Sequence, residues 1–417
     1  MQTKRWIISA AAIAVTALVA AGCGSSSTAG PTTGASSPSS ATSASAGTSA
    51  AAAASGSPIT IGYINEENDP AASYPTIRDG ANAAVSYINN QLGGLGGHPI
   101  KFDVCLTQLS SGGARCAQQM VQDKVRAVTG GINLTSTQIW PVLKQAGIPY
   151  FGMFPVFSAD STSDGNHFYF GGGNQATFPG AAKYIAQHAK KIDVLSADVS
   201  LDEIKQLTQS VFTANGATSV NYIPAPQGQA DFSSYLVQIA KDQPDAVLVV
   251  FPNPDCEKIM QEAPSVGLNT QMYYISSCAS QQIFQTAGSA IAGARFILDT
   301  TSFGDSSDPQ VAAYLQAMKA DGQSQNIDGF SQDGFADVMN LYGILKRAGG
   351  PSSTAASIKK AALSSQSQAG FMSPDYDCGN PPLKSATAVC GVGGRIAQLG
   401  SDSTTLADIG GGWLTAG

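Results

Sequence analysis

The stretch "GANAAVSYINNQLGGLGGHPIKF", residues 80–102, decides the fold. Its first half continues "PTIRDGANAAVSYINNQ" (75–91), where apolar residues recur at helical spacing and Pro75 suits a helix start. The Gly-rich run that follows reads as a turn, and "IKFDVCL" (100–106) alternates as a strand does. Upstream, "PITIGYI" (58–64) is a β-rich run. Strand, helix, turn and strand in that order make one βαβ unit, which implies a parallel sheet.

The same rhythm continues outward. "GARCAQQMVQD" (113–123) reads as a helix, "VRAVTGG" (125–131) as a buried strand, "STQIWPVLKQAG" (136–147) as a helix and "IPYFG" (148–152) as a strand. After "FYFGGGN" (168–174) it restarts, with helices over 178–190, 202–216, 231–243 and 255–267 and strands over 192–198, 219–225, 245–251 and 271–277. "ARFILDT" (294–300) follows, then helices over 309–321, 331–348 and 354–363, and a closing segment rich in Gly and Pro. The expectation is α/β, with two parallel-sheet lobes of similar size. "GGLGG" follows a helix and precedes a strand, the reverse of a dinucleotide-binding fingerprint, so it is a turn and not a phosphate cradle.

The chain has 417 residues, and only 12% are charged. Between Arg5 and Glu66 no side chain carries a charge. Lys4-Arg5, an apolar run from Trp6 to Ala21, and Ala20-Ala21-Gly22 before Cys23 have the layout of a secretory signal peptide over 1–22. The apolar run is short for a membrane span, which takes about 20 residues. The small residues abutting Cys23 resemble a bacterial lipobox, with Ala20 where leucine is usual. That implies a diacylglyceryl group on Cys23, and two acyl chains suffice for stable anchoring. Residues 24–57 are only Gly, Ser, Thr, Ala and Pro, so 23–57 reads as a lipidated cysteine on a disordered linker. Without Lys4 and Arg5, 20 basic residues face 29 acidic ones. So acidic a body, without a basic patch, is a poor match for nucleic acid.

Six cysteines remain. Export places them where disulfides persist. Of the 15 possible connectivities, proximity suggests Cys105–Cys116, Cys256–Cys278 and Cys378–Cys390. Metal binding is disfavoured, since there is no Cys-x-x-Cys, and His98, His167 and His188 lie near no cysteine pair. No cofactor is implied.

"ITIGYI" (59–64), the quoted stretch with Ile88-Asn89 and Gly93–Gly97, "VRAVTGG", "AGIPYF", "ADFSSYLVQIAKDQPDAVLVVF" (230–251) and "AGSAIAGARF" (287–296) together resemble the periplasmic solute-binding proteins of the branched-chain amino acid (leucine/isoleucine/valine) type. The resemblance spans roughly 58–372. It implies the type 1 periplasmic-binding fold, with three hinge crossovers near 170–174, 293–302 and 368–375. The lobes would be 58–170 with 300–370, and 173–295 with 373–417. It further implies a monomer that takes a small-molecule ligand in the interlobe cleft and delivers it to ABC permease subunits. The chain would be exported and lipid-anchored on the outer face of the bacterial cytoplasmic membrane.

Ligands of open parallel sheets bind beyond the carboxyl ends of the strands, so the loops there supply the candidates. Tyr74 falls within one residue of a tyrosine that covers the ligand in amino-acid-binding relatives. Asn133, Thr135 and Ser136 open a helix, a suitable place for a carboxylate, although capping explains Thr135 and Ser136 equally well. The family's carboxylate-binding serine aligns with Leu134. Phe154 and Phe157 stand where amino-acid binders carry a small-small-threonine signature, which is missing. In the second lobe Asp198, Ser200, Asn253 and Ser276 follow strands. An acidic residue commonly pairs with the ligand ammonium at the position of Ser276-Ser277, and none stands there. The expected ligand is an amino acid or another small amphiphilic molecule.

No G-x-S-x-G, H-E-x-x-H or P-loop motif occurs, and Glu66-Glu67 are adjacent in one loop, so an enzyme is not expected. The alternatives are a bilobed sensor that presents its closed form to a membrane receptor, or an exported hydrolase.

Overall fold

The computed structural model describes residues 52–67, 69, 73–108, 111–364 and 366–415. The proposed leader, Cys23 and the linker through residue 51 lie outside the described residues.

The first lobe follows the quoted stretch. Its strands are β1 (Ile59–Glu66), β2 (Ile100–Thr107), β3 (Val128–Gly130), β4 (Tyr150–Gly152) and β5 (His167–Tyr169). They form one sheet in the order β2-β1-β3-β4-β5, and every pair is parallel. Helix α1 (Pro75–Gln91) connects β1 to β2, α2 (Gly113–Gln122) connects β2 to β3, and α3 (Ser136–Ala146) connects β3 to β4. The strand order reverses direction at β1, so right-handed crossovers put α1 on one face and α2 with α3 on the other. The turn after α1 needs glycine. Gly93, Gly94, Gly96 and Gly97 all have φ between 63° and 86°, a region costly for residues with a Cβ. A Cβ on Gly94 would also lie 2.4 Å from the His98 carbonyl oxygen.

The second lobe holds α4 (Gly173–His188), β6 (Lys191–Ala197), α5 (Leu201–Ala214), β7 (Ser219–Ala225), α6 (Ser233–Asp242), β8 (Ala246–Val250), α7 (Asn253–Ser265), β9 (Gln271–Ile275), α8 (Gln281–Ala287) and β10 (Arg295–Leu298). The chain then returns to the first lobe through α9 (Pro309–Ala320), α10 (Gly329–Arg347) and α11 (Ala355–Ala362). Helices α1 and α10 touch backbone to backbone: a Cβ on Gly80 would sit 1.7 Å from the Ser331 carbonyl oxygen, and one on Gly334 2.0 Å from that of Ile77. Finally β11 (Arg395–Leu399) and β12 (Leu406–Asp408) join the second sheet, whose order is β12-β11-β10-β9-β8-β6-β7. Both are antiparallel additions at the edge of an otherwise parallel sheet. They are short and embedded in Gly-rich sequence, which is why they did not read as strands.

The domain boundaries need one correction. Residues 373–390 were expected in the C-terminal lobe, but much of this segment packs on the first. Val389 bridges Tyr169 in parallel, Cys390 N–H donates to the Tyr169 carbonyl at 2.8 Å, and Ala388 N–H donates to that of Ser161 at 2.8 Å. The free edge of β5 needs a hydrogen-bonding partner, and this segment supplies it. After this contact the chain enters the second sheet at β11. Residues 54–57, expected in the linker, are also held: Ala54 N–H donates to the Asn89 carbonyl and Gly56 N–H to that of Gly97, each at 2.8 Å.

Disulfides join Cys105 to Cys116, Cys256 to Cys278 and Cys378 to Cys390, the pairing suggested by proximity. Among the described residues no helix is long and apolar enough to cross a membrane, and no group of three His, Cys, Asp or Glu is placed to hold a metal ion.

Candidate functional site

The two sheets direct their carboxyl ends at one shared space. A cavity of about 220 Å³ lies there, walled by residues that follow β3, β4, β6, β7, β8, β9 and β10 and by the start of α4. A larger groove of about 340 Å³, between the end of α7 and residues 290–294, lies on the second lobe at the amino end of β9, away from both sets of strand tips. Position, not volume, makes the first the candidate site.

The first lobe contributes apolar and aromatic walls. Tyr74, just before α1, meets Phe330, at the start of α10, edge to face, with ring centroids 5.7 Å apart. Ile132, Phe154, Pro155 and Val156 continue this wall from the ends of β3 and β4. Burial, and second the neighbouring Glu66, push the Tyr74 hydroxyl pKa up, so it stays protonated.

The second lobe contributes Phe251 and Ile275 together with most of the polar groups. Asp299, one residue past β10, faces the cavity. Thr177 Oγ1 of α4 donates to its Oδ1 at 2.6 Å, and Ser276 Oγ donates to its Oδ2 at 3.2 Å. Burial raises the Asp299 pKa, and the two hydroxyls partly offset that. The disulfide Cys256–Cys278 braces this wall, because it ties the first turn of α7 to the turn that carries Ser276 and Ser277. Ser277 Oγ donates to the Phe251 carbonyl at 3.1 Å.

Of the residues expected from sequence, Tyr74, Phe154, Ser200 and Ser276 line the cavity. Ser200 turns its hydroxyl to the Ala197 carbonyl and to Ser196 Oγ, 3.1 Å from each. The others do not line it. Asn133 donates through Nδ2 to Tyr150 Oη at 2.9 Å. Thr135 packs against the first residue of α2, Gly113. Ser136 is buried as the first residue of α3, and Phe157 points outward, 40% exposed. Asp198 is exposed and accepts the Val199 N–H at 2.8 Å, and Asn253 starts α7. Sequence reasoning missed Asp299, Thr177, Phe251 and Phe330. The strand-end rule applied to "ARFIL" would have reached Asp299, whereas Phe330 had no local signal.

The sequence profile of the family described as "Periplasmic binding protein" matches residues 58–389. The chain belongs to that family. Among curated proteins none matches the sequence. Several solved structures share the fold. The branched-chain amino acid transporter substrate-binding protein of Streptococcus pneumoniae, in complex with isoleucine, is 19% identical, with a TM-score of 0.67 over 84% of this chain and 99% of that one. A solute-binding protein of an ABC transporter from R. palustris, in complex with 4-hydroxybenzoate, is 16% identical, with a TM-score of 0.67 over 86% of this chain and 96% of that one. A leucine-binding protein of Thermotoga maritima is 17% identical, with a TM-score of 0.65 over 85% of this chain and 99% of that one.

Proposed function

We propose that this member of the periplasmic binding protein family captures a small solute between its lobes and hands it to the permease of an ABC importer. The observation that carries the reading is a cavity walled from both sheets at their carboxyl ends, with three chain passages linking the halves. A ligand touching both walls favours the closed arrangement by its differential contacts, and a permease reads that state. Structurally similar proteins hold isoleucine and 4-hydroxybenzoate, which supports a ligand of that size.

In this reading Asp299, Thr177 and Ser276 orient the solute, while Tyr74, Phe154, Phe251 and Phe330 cover it. The protein is exported and acts as a monomer. A diacylglyceryl group on Cys23 holds it to the outer face of the cytoplasmic membrane.

A thermal-shift screen of amino acids, amides, short-chain acids, amines and aromatic solutes tests the binding role. A solute at 100 times its Kd stabilises by about 2.7 kcal/mol, so the melting temperature should rise by several degrees for at least one compound class. A flat response across all classes contradicts the reading. Intact mass of protein extracted from membranes tests the anchor: a diacylglyceryl mass on Cys23 is expected, and a bare thiol there contradicts it.

A further inference from the structure

We propose, resting on the solute-binding reading above, that the cleft takes an apolar or aromatic solute bearing a protonated amine and no carboxylate, with the amine seated on Asp299. Three observations on the cavity wall converge. Among the described lining residues Asp299 is the one carboxyl, and there is no Lys, Arg or His. The nearby β1–α1 loop, residues 67–74, contains none in its sequence either. Arg78, in the first turn of α1, is already spent: its Nε and an Nη donate to the two oxygens of Glu67 at 2.7 and 2.8 Å.

The groups that meet Asp299 are hydroxyls from two elements, Thr177 of α4 and Ser276 after β9. Behind it lies another acid, the fully buried Asp333 of α10, whose pKa the Asp299 charge helps to raise. Each Asp299 oxygen accepts one hydroxyl and retains a lone pair. An ammonium group supplies both the missing donors and the missing positive charge. A ligand carboxylate meets a like charge and no cation; its donors are confined to the amino end of α4 and the amides of Asn174 and Gln227, and the facing side is the apolar Ile132, Phe154, Pro155 and Val156. Pro155 has no N–H to offer, and the hydroxyl of Thr135 packs on α2. Burying a carboxylate beside a like charge and without a cation is costly. The remaining surface, with Phe178, Phe251 and Phe330, fits a ring or a branched chain.

Isothermal titration with three probes that share one body separates the headgroups: 2-phenylethylamine, 2-phenylethanol and phenylacetate. The amine should bind tightest, the alcohol more weakly, and the acid weakest by roughly 100-fold relative to the amine. Asp299→Asn should weaken the amine by roughly 10- to 100-fold and leave the alcohol nearly unchanged. The wild-type series stands even if that variant folds poorly. The proposal is overturned if the acid or the alcohol binds as tightly as the amine, or if folded Asp299→Asn keeps full amine affinity. If isoleucine or 4-hydroxybenzoate binds and none of the three probes does, the amine assignment falls and the solute-binding reading stands. If nothing in either set binds, the amine assignment falls, and a flat response in the wider thermal-shift screen removes the solute-binding reading as well.

Discussion

The two walls of the cleft differ in kind. The first-lobe wall is an aromatic and aliphatic cover whose main elements are Tyr74, Phe154 and Phe330; the second-lobe wall has a carboxyl with two hydroxyls aimed at it, one of them on the turn braced by Cys256–Cys278. The first lobe has acids too, but buries them behind its cover. Asp337 takes a hydrogen bond from Thr129, and Asp333 and Asp328 lie buried on and before α10. The division suggests that the second lobe orients a solute and the first excludes water from it. Orientation by buried polar groups discriminates strongly, whereas apolar cover contributes mostly affinity.

The largest test contrasts two disulfides. Replacing Cys256 and Cys278 with serine, or Cys105 and Cys116 with serine, should each cost about 3 kcal/mol of stability in denaturant titrations. Only the first pair braces the cleft wall, so only its loss should also weaken solute binding in calorimetry. Equal losses of affinity from both would erase the proposed asymmetry. Next in size, Phe330→Ala should cost about 1–2 kcal/mol of binding with little change in melting temperature, because the ring is only half-buried. A Phe330→Ala protein with wild-type affinity would remove the first lobe from the site.

The hidden acids predict a pH effect of fixed sign. Burial pushes Asp328 up to about 6 and raises Asp333 and Asp337 well above the usual carboxylate range. A carboxyl with a raised folded-state pKa binds more protons folded than unfolded, so stability falls as pH rises from about 4 through the folded values. Melting temperature should therefore be higher at pH 5 than at pH 7.5, and Asp333→Asn should flatten that slope. A melting temperature that rises over the same interval contradicts the burial of these groups. The smallest effect belongs to Ser200→Ala. Its hydroxyl is occupied by Ala197 and Ser196, so titration should show a loss of no more than about 0.5 kcal/mol.

The repeating strands and helices were legible because period and turn chemistry are local. "GANAAVSYINNQLGGLGGHPIKF" carries its helix, its turn of four left-handed glycines and its strand in the residues themselves. What escaped is non-local. Thr135 and Ser136 have suitable chemistry at a helix start, but the side chain of Thr135 packs on α2. Asp299 lies in a hinge passage that read as a connector, yet folding brings it beside Ser276, 23 residues away. The segment before Val389 returns to the β5 edge, a pairing visible only once that edge exists.

A crystal structure grown with whichever solute raises the melting temperature most tests the central claim directly. The account predicts the solute between Asp299 and Phe330, in contact with both lobes. A solute in the groove beside Met260 and Tyr274, or one held by a single lobe, would contradict it.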